Sequence, residues 1–206
     1  MTSQPTPLRE RTRRAVRAEL IAVAMDLFTR QGYNATTVEE IATAAGLSKR
    51  SFFRYFGSKE ELLLGNQDAV GQQLEEALRE RPLKEPPWLA LRRAFDGIVA
   101  RIDGNPHRST VLLRLLNENT ALRAAQLERR ARWRTLLAPH IAQRLQADST
   151  AHDSTANVEL RALAIVSAAL ACYEAAQTAW LGAEATIPMA RLLDEAMSSV
   201  APLPSA

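Results

Sequence analysis

The chain has few of the residues that build most metal and catalytic centres. It contains a single cysteine, Cys172, so it cannot form an internal disulfide, and the surrounding apolar stretch favours a buried thiol. Its three histidines are widely separated, and none stands at metal-ligand spacing from Cys, Asp or Glu. The sequence also has no glycine-rich phosphate loop and no serine nucleophile motif. We therefore predict that the protein is not an enzyme and needs no metal or other cofactor.

Long hydrophobic runs are also scarce. We identify no apolar run of membrane-spanning length, and the N-terminus lacks the apolar core of a secretory signal. These absences predict a cytoplasmic protein without a membrane partner. Of the 206 residues, 47% are hydrophobic and 24% are charged, a composition with which a globular protein can bury a substantial core.

The net charge of +3 is unevenly distributed along the chain. Residues 1–60 carry ten Lys or Arg against six Asp or Glu, a balance of +4. The remaining 146 residues carry sixteen against seventeen, a balance of −1. Because cations release counterions when they neutralise DNA phosphates, a local positive excess favours DNA binding by that region. The first sixty residues are therefore the candidate nucleic-acid-binding part.

Residues 37–55 have the pattern of two short helices joined by a tight turn. Thr37, followed three residues later by Glu40, is typical of a capping box. Gly46 suits the left-handed conformation that ends a helix, and Ser48 is a favourable N-cap for the next helix. Such pairs also occur in helical proteins that bind no nucleic acid, so the spacing alone leaves both interpretations open.

The second helix of this pair is predicted to have an inward and an outward face. Phe52 and Phe56 stand four residues apart and can both face inward with Leu47. The rest of the helix surface is cationic, hydroxyl-bearing and aromatic, which suits the major groove of DNA. That surface carries Lys49, Arg50, Ser51, Phe53, Arg54 and Tyr55.

The sequences flanking the pair resemble the N-terminal signature of the TetR family of bacterial transcriptional repressors. Gly32-Tyr-Asn-Ala-Thr-Thr37 precedes the pair, Tyr55-Phe-Gly-Ser-Lys-Glu-Glu-Leu62 follows it, and the match runs without a gap. The resemblance implies an all-α fold with an N-terminal three-helix helix-turn-helix DNA-binding domain and a C-terminal helical ligand-binding and dimerisation domain. We place the first domain at residues 1–57, with an N-terminal arm over residues 1–8, and the second at residues 58–206.

The resemblance further implies a ligand-responsive dimeric repressor that binds a palindromic double-stranded DNA operator. Lys49 and Arg50 are candidates for guanine contacts, and serines near the helix start can reach bases or phosphates. By resemblance, Thr37, Tyr55 and Lys59 would hold the DNA backbone. Phe53 lacks the hydroxyl of the tyrosine common there in relatives, so thymine-methyl contact and packing both stay open. The predicted DNA-contacting residues are Thr37, Ser48, Lys49, Arg50, Ser51, Phe53, Tyr55 and Lys59.

The basic residues before the helix pair have two open interpretations. Phosphate or minor-groove contact is one, and a solvated start to the first helix is the other. The residues concerned are Arg9, Arg11, Arg13, Arg14 and Arg17.

The C-terminal part is predicted to be a series of helices. A capping box of Ser58 and Glu61 should begin one long helix that ends near Glu80. The stretch 157–181 is apolar on nearly every side, so we expect a helix that is covered almost all round. With the last helix, 187–200, it is the predicted homodimer interface, the alternative being the core of a monomer.

Family members usually sense a small molecule in these C-terminal helices. Because buried charge is sparse in the pattern, we expect an apolar or amphipathic effector. The predicted ligand-binding residues are Gln67, Phe95, Val99, Asn117, Trp133, Cys172, Tyr173 and Gln177. The competing hypothesis is a helical protein-interaction scaffold that binds no DNA.

Overall fold

A computed structural model describes residues 8–64, 67–148 and 155–203, and within these ranges the chain is α-helical. The N-terminal arm predicted over residues 1–8 lies almost entirely outside the described residues. The described helices are α1 (Leu8–Gln31), α2 (Val38–Ala44), α3 (Lys49–Tyr55), α4 (Lys59–Leu64), α5 (Gln67–Glu80), α6 (Pro87–Ala94), α7 (Asp96–Asp103), α8 (Pro106–Glu118), α9 (Thr120–Asp148), α10 (Thr155–Gly182) and α11 (Met189–Val200).

The chain divides into two compact units, residues 1–66 and 67–206. The expected boundary after residue 57 differs from this division because α4 belongs to the first unit. Leu62 and Leu63 of α4 are buried, and the Tyr33 hydroxyl donates a 2.6 Å hydrogen bond to Glu60. The expected single helix from 59 to 80 is described as α4 and α5, with Gly65 and Asn66 outside the described residues.

The core of the first unit forms where the apolar stripe of α1 meets α2 and α3. Leu20, Ala24 and Phe28 recur at four-residue spacing on α1 and are buried. Ile41 of α2 and Phe52 of α3 are fully buried as well. Burying a side chain of this size contributes about 1.5 to 3 kcal/mol, so these few residues hold the short helices together.

Local capping determines where α2 and α3 begin and end. The predicted capping box is confirmed: the Thr37 amide donates to Glu40 Oε2 at 2.7 Å, and the Glu40 amide donates to Thr37 Oγ1 at 3.2 Å. Gly46 has φ +67°, and the Leu47 amide donates back to the Ala42 carbonyl at 2.8 Å.

The N-cap of α3 and the start of α4 follow the same logic. The Ser48 Oγ accepts from the Ser51 amide at 3.1 Å, as predicted. At α4, the Ser58 Oγ accepts from the Glu61 amide at 3.0 Å, but the Glu61 carboxylate accepts from Gly57 rather than from Ser58. This second capping box is therefore only half formed.

The second unit is built around its longest helices, because α10 packs against both α9 and α11. Phe95 separates α6 from α7, and α9 continues through Pro139. The inward residues of α10 are Val158, Ala162, Val166, Ala169, Leu170, Cys172, Tyr173, Ala176, Gln177 and Trp180.

Within one chain, α10 leaves one side open. Leu160 is 66% exposed and Leu163 is 43% exposed. The helix is also long and apolar enough to cross a membrane by length and composition, which the sequence analysis did not recognise. The core helices of soluble proteins can have the same length and hydropathy. In this structure α10 packs against α9 and α11.

Candidate nucleic-acid interface and ligand-binding residues

Helix α3 presents its cations outward, and its Phe52 and the following Phe56 face inward, as predicted. Phe52 is 0% exposed and Phe56 is 1% exposed, whereas Lys49 and Arg50 are exposed. Phe52 and Phe56 stand four residues apart on the inward side, and Arg50, two residues before Phe52, projects away from them, while Lys49 extends from the first residue of α3 into solvent. The cationic side of α3 is therefore a fixed surface of the first unit.

The two cations at the start of α3 are in different situations. Lys49 forms an ion pair with Glu39 of α2, and this pairing lowers the pKa of the Glu39 carboxyl. Both partners are largely exposed, so the pair is screened by water. The described residues supply no hydrogen bond or ion pair to Arg50. Its five N–H donors are available to an external acceptor.

The hydroxyl groups of the predicted site already serve as helix caps. Thr37 Oγ1 caps α2, and Ser48 Oγ caps α3. Ser48 Oγ also donates to Ser51 Oγ at 3.1 Å. A hydroxyl has two acceptor lone pairs and one donor, so capping and an outside contact can coexist.

Phe53 and Tyr55 are the aromatic members of the α3 surface. Phe53 is 47% exposed and meets the buried Phe52 edge to face, with the ring centroids 5.5 Å apart. The Tyr55 ring is half-buried and carries the Arg54 guanidinium 5.2 Å from its centroid. The Phe53 ring thus combines packing against Phe52 with a free apolar surface.

Lys59 is occupied by contacts inside the first unit. Its Nζ donates to the Tyr33 carbonyl at 2.6 Å and the Thr36 carbonyl at 2.8 Å, and it lies 4.0 Å from the Tyr33 ring centroid. Burial lowers the pKa of Lys59, while the nearby charges of Glu60 and Glu40 act in the opposite direction. Only one of its three donors is left for the predicted phosphate contact.

A groove of about 590 Å³ runs between the beginning of α1 and the end of α3. Three guanidinium groups are among its lining groups, and guanidinium groups bind phosphate well. The lining residues are Leu8, Arg9, Thr12, Arg13, Arg54 and Tyr55.

Arg17 does not share in this groove. Its Nη1 donates to the Tyr55 carbonyl, and its guanidinium lies 4.1 Å from the Phe56 ring centroid. Arg17 is therefore half-buried and held by contacts within the first unit, so it is not part of a solvated helix start. Arg14 pairs with Glu10 on the exposed side of α1.

Four of the predicted ligand-binding residues form a buried cluster in the second unit. The Phe95 and Tyr173 rings stack at 5.0 Å and 18°, and Gln177 hydrogen-bonds to Tyr173. Burial raises the pKa of Tyr173 to about 12. Trp133 is 4% exposed and joins this cluster through Arg129, described below.

The remaining predicted ligand-binding residues have other surroundings. Val99 is buried, and Asn117 is exposed near the end of α8. Cys172 Sγ contacts the Ala196 carbonyl of α11 at 3.5 Å, and burial raises the pKa of its thiol. The side chain of Gln67 lies outside the described residues.

Arg129 of α9 is only 5% exposed and is not among the residues expected to bind a ligand. Its guanidinium carbon lies 5.2 Å from the centroid of the Trp133 ring, and its Nε and Nη1 have no hydrogen-bond partner. Burial lowers the pKa of Arg129 to about 10. The spacing could have identified it, because the buried side of α9 recurs at three or four residues: Leu122, Gln126, Arg129, Trp133 and Leu137.

Buried charge is therefore not sparse in the second unit, which corrects the expectation from sequence. Arg92 is buried with Asp96 and Asp194 as partners. Arg144 is buried and donates to the backbone carbonyls of Leu78 and Arg81 at 2.6 and 3.0 Å.

Two family models match the chain. Residues 20–65 match the model of bacterial regulatory proteins of the tetR family, and residues 85–203 match that of the MftR C-terminal domain. The first match covers α2, α3 and their flanks, and the second covers most of the second unit.

Curated relatives and solved structures are similar to this chain over large parts of its length. The HTH-type transcriptional regulator TcmR of Streptomyces glaucescens is 38% identical over 149 residues, which are 68% of this chain and 65% of that protein. The HTH-type transcriptional repressor Rv3405c of Mycobacterium tuberculosis is 32% identical over 114 residues, 52% of this chain and 58% of its own length. The chain thus spans less than two thirds of either relative.

The crystal structure of the transcriptional regulator FadR from Bacillus subtilis in complex with stearoyl-CoA has a TM-score of 0.60 and 19% identity, covering 90% of this chain and 98% of that one. FadR from Thermus thermophilus in complex with lauroyl-CoA has a TM-score of 0.54 and 23% identity, covering 92% and 100%. At this identity the likeness establishes the fold.

Proposed function

Since this chain belongs to the TetR family of bacterial regulatory proteins, we propose that it is a cytoplasmic, ligand-responsive dimeric transcriptional repressor that binds a palindromic DNA operator and is released by a small-molecule effector. The observation that carries the proposal is the orientation of α3, which buries Phe52 and Phe56 and exposes Lys49 and Arg50. A short helix with cations on one side and an anchored apolar side has the form of a major-groove reader.

Arg50 is the leading base-reading residue in this proposal. Its guanidinium is exposed near the N-terminus of α3, and the described residues leave it without a partner, so it can form a bidentate contact with guanine O6 and N7. Lys49 exchanges Glu39 for an acceptor on DNA. That exchange costs little, because the ion pair is exposed.

The groove between α1 and α3 supplies the sequence-independent part of DNA binding. Arg9, Arg13 and Arg54 can track the phosphates beside the groove that α3 enters, and the Tyr55 hydroxyl adds a donor. Thr37 is at the exposed N-terminus of α2, where the helix amides favour an anion. Lys59 contributes mainly by holding the loop before α2 in place, through its two carbonyl contacts.

The exposed apolar stripe of α10 is the proposed homodimer interface, together with α11. Leu160, Leu163, Ser167 and Ala171 recur at three or four residues, and the Ser167 hydroxyl already donates to the Leu163 carbonyl at 2.7 Å. A satisfied hydroxyl can be covered by a second copy without losing a hydrogen bond. Two-fold symmetry then sets the reading helices about 34 to 36 Å apart.

The buried cluster around Phe95, Trp133 and Tyr173 is the proposed effector site. The FadR structures hold lauroyl-CoA and stearoyl-CoA, and this likeness supports an amphipathic effector here. Release from DNA requires that the effector bind one conformation of the dimer more tightly than the DNA-bound one.

The test begins with genomic fragments selected by the purified protein and continues with variants on the recovered operator. We expect Arg50→Ala to lose about 1 to 3 kcal/mol of operator affinity and to relax specificity at one base position. The exposed arginine Arg114 of α8 provides the control, because Arg114→Ala should leave binding unchanged. Equal losses on operator and random DNA for Arg50→Ala would contradict base reading, and no DNA selection at all would favour a protein-interaction scaffold.

A further inference from the structure

Arg129 stands out among the buried arginines of the second unit. Arg92 has two carboxylate partners, and Arg144 donates to backbone carbonyls. Arg129 is equally buried, yet its Nε and Nη1 have no partner among the described residues. A buried charge without a partner carries a large desolvation cost, which proteins normally avoid by pairing it.

The neighbours of Arg129 do not neutralise it. Arg130 and Arg132 act on it as like charges, and the hydroxyl of Tyr173, whose negative form would stabilise the guanidinium, stays protonated at neutral pH because burial raises its pKa to about 12. Arg130 itself is paired with Glu174. The Arg129 guanidinium is therefore a buried cation that could bind an external anion.

The remaining surroundings are apolar and aromatic. The Trp133 ring lies beside the guanidinium, and the indole N–H of Trp133 is a second buried donor without a partner. That N–H faces the bare backbone of Gly71, where an added Cβ would come within 2.7 Å of Nε1. The stacked rings of Phe95 and Tyr173 complete the cluster. Aromatic rings around one unpaired cation have the chemistry that recognises an apolar body carrying a single negative charge.

We propose that Arg129 is the anchor for the effector's oxyanion, so that the ligand of this protein is an amphipathic organic acid with one carboxylate and an apolar body. The role of this ligand as an effector rests on the proposed function. The anion site itself rests only on residues of the second unit. A guanidinium–carboxylate contact in a dry site is a strong, charge-assisted hydrogen bond.

The first test measures the stability of the ligand-free protein. Arg129→Met keeps an unbranched apolar stem and removes the unpaired charge, so the melting temperature should rise by about 2 °C or more. Arg134→Met, an exposed position on the same helix, is the control and should leave it unchanged. A fall in melting temperature, or failure of Arg129→Met to fold, means that the guanidinium supports the fold and overturns the proposal.

The second test uses five probes in calorimetric titrations: decanoate with 1-decanol, 2-naphthoate with 2-naphthalenemethanol, and inorganic phosphate. At least one acid should bind wild type about tenfold or more tightly than its alcohol, and Arg129→Met should remove that preference. Whichever of the two acids binds more tightly shows whether the apolar part of the ligand is aliphatic or aromatic. Inorganic phosphate tests whether an oxyanion suffices alone. Equal binding of acid and alcohol, no binding of either acid, an unchanged preference in Arg129→Met, or phosphate binding as tightly as the acids would overturn the proposal.

DNA binding separates this inference from the proposed function. The acid should lower operator affinity in wild type and in the Arg134→Met control, whereas the operator affinity of Arg129→Met should be the same with and without acid. If wild type selects no DNA while the acids still depend on Arg129, the repressor proposal fails and the anion site stands. If operator binding is normal but the acids ignore Arg129, only the anion site fails.

Discussion

The two units of this chain treat positive charge in opposite ways. In the first unit the cations of α3 project into water, and the partly buried Lys59 is satisfied by two carbonyls. In the second unit Arg129 is buried with unsatisfied donors. A surface cation adds little to the free energy of folding and can bind a polyanion directly. A buried unpaired cation destabilises the folded protein, so its presence indicates a role other than stability. The difference separates a surface suited to DNA from an interior suited to a single small anion.

The largest effect on this comparison should come from removing the support beneath the α3 surface. Phe52→Ala deletes a fully buried ring and should destabilise the first unit by about 3 to 5 kcal/mol, with loss of operator binding. Phe53→Ala is the matched neighbour and should change stability by less than about 0.5 kcal/mol, because the ring is half exposed. Urea unfolding followed by circular dichroism measures both. Similar losses for the two variants would mean that the faces of α3 are not distinct.

A second variant, at Glu85, tests whether a buried charge that has ion-pair partners stabilises the second unit, in contrast to the unpaired charge of Arg129. Glu85 is buried between Arg81 and Arg93, and these guanidiniums lower the pKa of its carboxyl. Glu85→Gln should cost about 1 to 3 kcal/mol at neutral pH.

The pH dependence of that variant has a definite sign. The pKa of Glu85 is lower in the folded protein than in the unfolded chain. The ionised carboxylate therefore stabilises the fold fully above the ordinary glutamate pKa of about 4.3, and this stabilisation is lost as the pH falls through the pKa of the folded protein. Unfolding measured between neutral pH and pH 3 should therefore show a shallower acid decline for Glu85→Gln than for wild type. If the free energy of unfolding fell equally with pH in both proteins, Glu85 would not contribute to the acid dependence of stability.

Lys59 tests whether a partly buried cation in the first unit acts in folding or on DNA. Lys59→Met should destabilise the first unit by about 1 to 2 kcal/mol, because the Tyr33 and Thr36 carbonyls lose their donor. Operator affinity at a temperature where the variant is folded should fall modestly, with no change in base preference. Unchanged stability with a large affinity loss would make Lys59 a phosphate contact first.

The smallest expected effect concerns the exposed ion pair on the DNA side. Glu39→Gln frees Lys49 and removes a negative charge near the phosphates, so operator affinity should rise a few-fold at low salt. The gain should shrink as salt is added. Fluorescence anisotropy across a salt series measures it, and weaker binding would show that Glu39 helps to orient Lys49 for DNA.

Much of the first unit was predictable because its signals are local. The caps at Thr37 and Ser48 each depend on residues three positions apart, and the inward pair Phe52 and Phe56 depends on one helical turn. The extent of α4 was harder to predict, since its membership in the first unit depends on Tyr33, which lies far away in sequence.

By itself, then, the sequence determined the helix-turn-helix, its caps and the outward cations, because short-range geometry decides each of these. Only the tertiary structure decided the rest. It assigned Lys59 to two carbonyls, left one side of α10 open, and buried Arg129 beside Trp133 without a partner. These outcomes depend on which helix packs against which, and that choice is made by the summed burial of residues distant along the chain.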